Sequence, residues 1–236
     1  MVWRDMQKEN RYLKIRNVIK MTPEEDNQKD SLPLLKQQDF RLLREGREMA
    51  RFVTLPGYMR EMVYGYLLSE GFVTDLCAVT VLKADAHLMD VHITESGKKT
   101  AHEEKTAVEK EDVFRLAEAF RQGMPLHEKT YMTHSALLMH KKDVIFSCED
   151  LGRHNALDKA IGYAFLKGIP LSECFVYMSG RLQRDAVEKA VRSGLAALIS
   201  KASATEEAVR VARENGLTLI GKARPDEAYI LSEEVK

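Results

Sequence analysis

The sequence contains few cysteines and no long uncharged run of apolar residues. Its three cysteines, Cys77, Cys148 and Cys174, are widely spaced, which excludes a disulfide framework and a Cys-x-x-Cys zinc or redox pair. No apolar stretch is long enough to cross a bilayer, and residues 1–10 carry too many charges for the apolar core of a signal peptide. We therefore expect a soluble, cytoplasmic protein.

The sequence also has no excess of either charge. Lysine plus arginine and aspartate plus glutamate both number 36, so the formal net charge is zero. A nucleic-acid or membrane partner attracted by bulk charge is therefore not expected, whereas a local basic pocket is compatible with this balance. With 236 residues, 44% of them hydrophobic, the chain can bury the core of one large domain or of one domain plus a small lobe.

Three segments of different composition divide the chain. Residues 1–37 are polar apart from a short alternating stretch at 12–18, and they predict a partly mobile N-terminal segment with a loop over 22–36. Residues 38–110 predict an N-terminal α+β portion, in which a helix follows two strands and a hairpin follows the helix. Residues 111–236 predict an α/β portion, because strand-like and helix-like stretches alternate there and glycines stand where helices should stop.

Polar loops follow three successive predicted strands of the α/β portion. The first loop lies in the block 147–159, in which eight of thirteen side chains ionise or form strong hydrogen bonds. It presents Gly152-Arg153-His154 at a helix start, where unpaired amides and the helix dipole favour anions. Ser179-Gly180-Arg181 repeats this pattern at the second loop, and residues 201–205 add a lysine and two hydroxyls at the third. Because the carboxyl ends of parallel strands share one sheet edge, these loops predict a site for a nucleotide phosphate.

Each of these polar residues also has a structural explanation. Asn155 and Asp158 could satisfy backbone donors at the helix start, and Arg153 could pair with Glu149 or Asp158. One such loop alone is more often structural than functional. Arginines beside glycines at successive loops, however, favour a ligand site.

Thiols and one histidine are further candidates for chemistry. Cys148 ends a predicted strand beside two carboxylates, which raise a thiol pKa and disfavour a thiolate unless a neighbouring cation outweighs them. It is therefore either a small packing residue or, with such a cation, a nucleophile. Cys77 and Cys174 are predicted to pack, and His134, which precedes a strand, is predicted to be a hydrogen-bonded core residue.

At these residues the sequence resembles the formate dehydrogenase accessory sulfurtransferase family. The block 149–159 is nearly identical to that family's signature, and three shorter elements are similar to it as well. These are Leu67-Leu68-Ser69-Glu70-Gly71, Ser179-Gly180-Arg181-Leu182, and Leu217-Thr218-Leu219-Ile220-Gly221 followed by Arg224. The likeness extends over residues 38–231 and is weakest over 72–130; a block with so many polar residues is a specific signal.

The resemblance implies a fold, a reaction and partners. The fold is a cytidine-deaminase-like α/β fold, a mixed sheet flanked by helices with an additional N-terminal, mostly antiparallel portion, and the protein is typically a homodimer. In the reaction, a Cys-x-x-Cys pair takes persulfide sulfur from a cysteine desulfurase and passes it to the molybdenum bis(molybdopterin guanine dinucleotide) cofactor of formate dehydrogenase. The guanine nucleotide portion is bound near the strand ends, and no structural metal is expected. The residues assigned to this cofactor are Gly152, Arg153, His154, Ser179, Gly180, Arg181, Lys222, Ala223, Arg224, Pro225, Asp226 and Glu227.

The sequence departs from the family where sulfur chemistry is expected. The cysteine pair should lie between the predicted hairpin at 79–93 and Thr130, yet that interval contains no cysteine. Thr130-Tyr131-Met132 replaces the familiar Thr-Gly-Gly, and the two bulky residues are expected to fill any site that needs close backbone approach. In the last loop, Lys222 replaces a usual aromatic residue and Glu227 a usual basic one.

Two functions are therefore open, and a third has little support. The chain is either a sulfurtransferase in which Cys148 substitutes for the missing pair, or a non-catalytic binding module for the cofactor or a guanine nucleotide. A zinc deaminase is suggested only by the fold, and the Pro-Cys-x-x-Cys element that it requires is absent.

Overall fold

The computed structural model describes residues 11–24, 27–94 and 104–232. Within this part of the chain the strands form three sheets, of two, four and six strands. In chain order the elements are β1 (Leu13–Lys20), β2 (Gln28–Leu35), β3 (Gln38–Arg44), β4 (Arg47–Thr54), α1 (Met59–Ser69), β5 (Val79–Ala84), β6 (Leu88–Ile93), α2 (Lys110–Arg121), α3 (Pro125–Thr130), β7 (His134–His140), β8 (Asp143–Asp150), α4 (Arg153–Leu166), β9 (Cys174–Met178), α5 (Arg184–Ser193), β10 (Ala197–Ser200), α6 (Glu206–Glu214), β11 (Thr218–Gly221) and β12 (Tyr229–Ile230). None of the helices described is long and apolar enough to cross a membrane.

The six-stranded sheet is mixed, in the order β12-β11-β10-β9-β7-β8. Strands β9, β10 and β11 run parallel, whereas β7 is antiparallel to both of its neighbours, β8 and β9. Strand β8 therefore runs in the same direction as β9 to β11. The last residues of these four strands, Asp150, Met178, Ser200 and Gly221, lie at one edge of the sheet with His134 at the start of β7. We call this edge the carboxyl edge.

Helices cover both faces of this sheet, which explains why its central strands are apolar throughout. All residues of β9 and β10 are buried. Leu138, Val176 and Leu198 pack on one face with α4, α5 and α6, while Tyr177 and Ile199 pack on the other face with α2. The alternation of strands and helices therefore predicted these elements correctly, since each apolar strand is separated from the next by an amphipathic helix.

The N-terminal portion is a four-stranded sheet in the order β4-β3-β6-β5. The pairs β3–β4 and β5–β6 are antiparallel and β3–β6 is parallel, so the sheet is mostly antiparallel, as predicted. Helix α1 packs on this sheet and also against α4 of the larger one, where Gly65 and Gly162 face the opposite helix backbone. The two sheets therefore share one helix pair, and α4 carries the signature block.

The main difference from the sequence prediction is the strand β2. Residues 22–36 are predicted as a loop, but Gln28–Leu35 pairs with β1 along its whole length, from Leu13 opposite Leu35 to Lys20 opposite Gln28. The segment is mostly exposed and has no apolar alternation along its length, and pairing with the preceding strand β1 imposes its extended form. Residues 1–10 of the predicted mobile segment lie outside the described residues, and the division of the chain at residue 110 stays a prediction.

Candidate functional site

Three loops meet at the carboxyl edge of the six-stranded sheet. The loops after β9 and β10 are joined directly, because the Leu182 amide donates to Ser203 O at 3.0 Å and the Thr205 amide donates to Leu182 O at 3.0 Å. The loop after β8 is joined to the loop after β9 because Arg153 Nη2 donates to Gln183 Oε1. The predicted meeting of the three polar loops is therefore confirmed, while their ligand stays a prediction.

Asp150, in the signature block, forms all its hydrogen bonds with other groups of the protein. It is completely buried, and its carboxylate accepts hydrogen bonds from donors on three segments of the chain. These donors are the Thr54 hydroxyl, the Leu55 amide at 3.2 Å, the Gly152 amide at 3.1 Å, the Asn155 side-chain amide at 2.9 Å and the Lys159 ammonium at 2.5 Å. Because Thr54 is the last residue of β4, the Asp150 carboxylate links the N-terminal portion to the start of α4 by hydrogen bonds. These hydrogen bonds occupy both carboxylate oxygens, so neither is left for a ligand.

Glu149 fixes the short helix α3 and the start of β7. Its Oε2 accepts from the Leu126 amide at 3.0 Å, and its Oε1 accepts from the His127 amide at 2.8 Å and the Thr133 hydroxyl at 2.7 Å. Burial raises the pKa of Glu149, and these donors oppose the rise. The carboxylate therefore holds His127 and Thr133 beside the carboxyl edge.

Asp158 lies in a buried ionic cluster between α1, α4 and α5. Its Oδ1 accepts from the Ser69 hydroxyl at 2.8 Å, and Lys189 Nζ lies 3.0 Å from its Oδ2 and 2.8 Å from Glu70 Oε1. Burial raises the pKa of Asp158, and the ammonium of Lys189 opposes the rise. The helix-start role predicted for Asn155 and Asp158 is wrong, because their side chains bond to other elements instead of to the first amides of α4.

Arg153 and His154 differ from these residues because they contact the first turn of α5, which follows the loop after β9. Arg153 Nη2 lies 3.5 Å from Asp185 Oδ2, and its Nε is buried with no partner among the described residues. His154 Nε2 lies 3.0 Å from the same Asp185 oxygen. Partial burial raises the pKa of Asp185, but His154 and Arg153 outweigh it and hold that pKa below its usual value. The alternative that Arg153 pairs with Glu149 or Asp158 inside the block is not what the structure shows, because its guanidinium is directed to Gln183 and Asp185.

Ser179 and Gly180 shape the loop after β9. The Ser135 amide donates to Ser179 Oγ at 3.0 Å and the Ser179 amide donates to Ser135 O at 3.0 Å, which extends the β7–β9 pairing by one residue. A Cβ on Gly180 would lie 2.9 Å from Arg153 Cβ, so a glycine is needed where the arginine crosses this loop. Both residues therefore position side chains at the carboxyl edge.

His134 marks the centre of the positive charge at this edge. It is half-buried, and its Nδ1 lies 3.2 Å from Ser179 Oγ. Burial lowers the pKa of His134. The charges of Arg153, Arg181 and Lys201 lower it further, as does the neighbouring His127. His134 is hydrogen-bonded, as predicted, but it stands in this electropositive site and not in the core; we call His134, Arg153, Arg181 and Lys201 the basic site.

A cavity of about 500 Å³ adjoins the basic site, with Lys201 belonging to both. Phe120 and Tyr177 supply aromatic walls, and Lys201 Nζ lies 5.4 Å from the centre of the Phe120 ring. Tyr177 Oη donates to Ala223 O at 2.6 Å, which fixes the start of the loop 222–227 at the cavity. Because Phe120 and Tyr177 are only 6% and 1% exposed, the cavity offers a base apolar edges, a cation and backbone groups instead of an open stacking face.

The predicted binding residues of the loop 222–227 divide into two groups. Three of them line the cavity: Ala223, Arg224 and Pro225. Lys222 Nζ instead lies 5.6 Å from the centre of the Tyr229 ring, and Glu227 Oε2 accepts from the Tyr229 hydroxyl at 3.1 Å. Asp226 is exposed. The departures from the family at Lys222 and Glu227 therefore lie outside the cavity lining.

Two of the three thiols are buried away from this site. Cys148 is 1% exposed, its Sγ donates to Ala156 O at 3.5 Å, and burial raises its pKa to about 12. Burial also raises the pKa of Cys174 to about 12, whereas Cys77, predicted to pack, is exposed. Burial therefore supports the alternative role of Cys148 as a packing residue, while its interpretation as a substitute sulfur carrier stays a prediction.

Tyr131 and Met132, which stand where the family has two glycines, do not fill a site. Tyr131 is 82% exposed and Met132 is 62% exposed. Tyr131 has a φ of 55°, in the left-handed region that glycine favours, and it ends α3. The prediction that these side chains occupy a pocket is wrong, because the backbone keeps the turn and directs the larger side chains to the surface.

Sequence reasoning missed Gln183, Asp185 and the aromatic pair Phe120 and Tyr177. Gln183 and Asp185 follow the predicted Ser179-Gly180-Arg181 element, and an acidic residue in the first turn of a helix is an ordinary structural feature. Phe120 and Tyr177 belong to apolar patterns that predict core residues. The only usable signal was the short distance along the chain between Arg181 and Asp185.

Comparison with known proteins gives consistent results. The sequence model of the FdhD/NarQ family matches residues 94–236. A sulfur carrier protein FdhD from Shouchella clausii is 28% identical over 240 residues, covering 86% of this chain and 90% of that protein. A protein FdhD from Methanocaldococcus jannaschii is 30% identical over 189 residues, covering 80% of this chain and 83% of that protein. A crystal structure from Desulfotalea psychrophila, described as a formate dehydrogenase accessory protein, covers 93% of this chain and 96% of its own at 21% identity, with a TM-score of 0.81. This likeness confirms the mixed α/β fold with helices on its sheets.

Proposed function

Because the chain belongs to the FdhD/NarQ family, we propose that it is a formate dehydrogenase accessory protein that handles the molybdenum bis(molybdopterin guanine dinucleotide) cofactor. The observation that supports this most is that the loops carrying Arg153, Arg181 and Lys201 are hydrogen-bonded to one another at the ends of neighbouring strands. Such a site favours the phosphates of a nucleotide. The role requires a formate dehydrogenase as client, and a homodimer in the cytoplasm is part of the same proposal.

The residues of the basic site and of the adjoining cavity fit the two ends of a guanine nucleotide. The exposed Arg181 can donate to phosphate oxygens, as can the amides at the start of α4. The adjoining cavity of about 500 Å³, lined in part by Phe120 and Tyr177, can take a base. When bound, the cofactor supplies the molybdenum and sulfur chemistry, and the protein holds and orients its phosphates.

Replacing Arg181 with alanine is expected to weaken guanosine diphosphate binding by at least about tenfold, because a hydrogen bond to a charged group is lost. Arg153→Ala should weaken it similarly. Isothermal titration calorimetry measures both. The matched control is Arg184→Ala, which removes an exposed arginine of α5 that pairs with Glu188 at 2.6 Å. Equal affinities of the Arg181 and Arg184 variants, or no binding by the unmodified protein, would count against the proposed site.

Sulfur transfer by a thiol of this chain is the second candidate function, favoured by the name of the Shouchella clausii relative and by the exposure of Cys77. The thiolate is the attacking species, and burial keeps Cys148 and Cys174 protonated near neutral pH. After incubation with a cysteine desulfurase and cysteine, we expect no persulfide on these two residues. Any persulfide should be on Cys77.

Mass spectrometry of the trapped persulfides tests this expectation, with Cys77→Ser as the variant and Cys148→Ser as its control. A persulfide that survives in Cys77→Ser and disappears in Cys148→Ser would identify Cys148 as a carrier. If no cysteine is modified, the chain handles the cofactor without carrying sulfur itself.

A further inference from the structure

His134 and Ser179 form a hydrogen-bonded pair whose direction can be read from their neighbours. Ser179 Oγ accepts from the Ser135 amide at 3.0 Å, and the same oxygen lies 3.2 Å from His134 Nδ1. A hydroxyl has one hydrogen to donate. Within the described residues the acceptor in reach of that hydrogen is His134 Nδ1. The order amide to hydroxyl to imidazole satisfies the hydroxyl hydrogen inside the protein, whereas the reverse order, with Ser179 Oγ accepting twice, leaves that hydrogen without an acceptor in the described part of the protein.

This order determines which ring nitrogen of His134 carries the proton. If Nδ1 accepts from Ser179, the proton of the neutral imidazole is on Nε2. The hydrogen bond of the His134 ring within the described residues is at Nδ1, so an N–H at Nε2 can donate to a ligand. Burial and the charges of Arg153, Arg181 and Lys201 favour the neutral ring by lowering the pKa of His134.

We propose that Ser179 holds His134 as the Nε2–H tautomer, and that this neutral N–H donates to the anionic group bound by Arg153, Arg181 and Lys201. The inference rests on the proposed function, since it assigns a residue to the same phosphate. A neutral N–H donor orients the bound anionic group by a hydrogen bond and does not add a further positive charge beside Arg153, Arg181 and Lys201. It also selects an ionised ligand oxygen, which accepts a hydrogen bond, over a protonated one. Ser179 acts here as a positioning residue.

His127 provides an internal control for the tautomer. Its Nδ1 lies 2.9 Å from Thr133 O, and a carbonyl oxygen can only accept, so the proton of neutral His127 is on Nδ1. The two histidines therefore have opposite tautomers. Long-range proton–nitrogen NMR spectra of the ¹⁵N-labelled full chain near neutral pH distinguish the two forms, and His134→Gln assigns the His134 signals.

We expect His134 to be protonated at Nε2 and His127 at Nδ1. In Ser179→Ala, His134 should shift toward a mixture of tautomers while His127 is unchanged, which separates loss of the positioning hydroxyl from general unfolding. A His134 that is protonated at Nδ1, or at both nitrogens, in the unmodified protein overturns the inference.

Calorimetry with guanosine diphosphate tests the donor role. His134→Leu, which has no donor, should bind on the order of tenfold more weakly, because a hydrogen bond to a charged acceptor is lost. His134→Gln, whose side-chain amide can donate from nearly the same place, should stay within about threefold of the unmodified protein. If the unmodified protein and both variants bind equally, the inference is overturned and the proposed function stands. Absence of binding by the unmodified protein overturns both.

Discussion

Replacing Gly65 or Gly162 with alanine is expected to destabilise the protein by upward of about 3 kcal/mol, because each would place a methyl group inside the backbone of the opposite helix. A Cβ at Gly65 would lie 1.8 Å from the carbonyl oxygen of Asp158, and one at Gly162 would lie 1.8 Å from the carbonyl oxygen of Glu61. No rotamer change relieves such a contact, so α1 and α4 must move apart. Urea unfolding followed by circular dichroism measures the loss.

Gly65→Ala should also weaken ligand binding at the basic site. Helix α4 begins at Arg153, and the packing of α4 on α1 fixes the position of that arginine. Guanosine diphosphate binding is therefore expected to weaken in any Gly65→Ala protein that still folds. Gly168→Ala is the control. A Cβ added at Gly168 has no atom of the described residues within 4 Å, but the φ of this residue is +64°. The substitution should therefore lower the free energy of unfolding by about 1–2 kcal/mol, through the strained backbone alone. Equal unfolding midpoints for the Gly65 and Gly168 variants would show that the helix contact is looser than described.

The sequence was sufficient to predict most strands and helices of the larger sheet, and the reason is physical. Strands buried on both faces are apolar throughout, and Gly168 and Gly194 end their helices at φ values of 64° and 82°, which other residues rarely adopt. Strand β2 could not be predicted, because its eight residues are mostly exposed and become extended by pairing with β1. Helix α3 had a signal that was overlooked, Pro125 in its first turn.

The site was predicted at the level of loops but not of single side chains. The sequence indicates that polar residues gather where strands end, which is correct. It does not indicate that Asp150 is bonded to Leu55, 95 residues away, or that Asp158 is bonded to Ser69, 89 residues away. These long-range bonds use most of the acidic side chains of the block for structure. They leave Arg153 and His154 as the members of the block that contact the neighbouring loop of the site.

Asp150 and Lys159 form a buried ion pair, and we expect a large coupling energy between them. Replacing Asp150 should nevertheless lower the free energy of unfolding more than replacing Lys159. Asp150→Ala leaves the ammonium of Lys159, 1% exposed, with only Leu55 O at 3.4 Å, and an uncompensated buried charge costs about 3–5 kcal/mol. Lys159→Met should cost less, because Asp150 keeps the donors Thr54, Leu55, Gly152 and Asn155. Removing both charges leaves no unpaired ion. The double variant should therefore be more stable than the sum of the single losses predicts, by about 1–3 kcal/mol.

The coupling energy of an exposed ion pair in the same chain is the reference for this double-mutant cycle of Asp150 and Lys159. Arg210 and Glu214 lie 2.8 Å apart on the surface of α6, with side chains that are 50% and 55% exposed, and such pairs couple by less than about 1 kcal/mol. Urea unfolding of both sets of single and double variants gives the two coupling energies. A coupling at Asp150–Lys159 no larger than that at Arg210–Glu214 would mean that water reaches the buried pair. In that case the signature block would be open to solvent at its centre, and Asp150 would become a candidate for contact with the ligand.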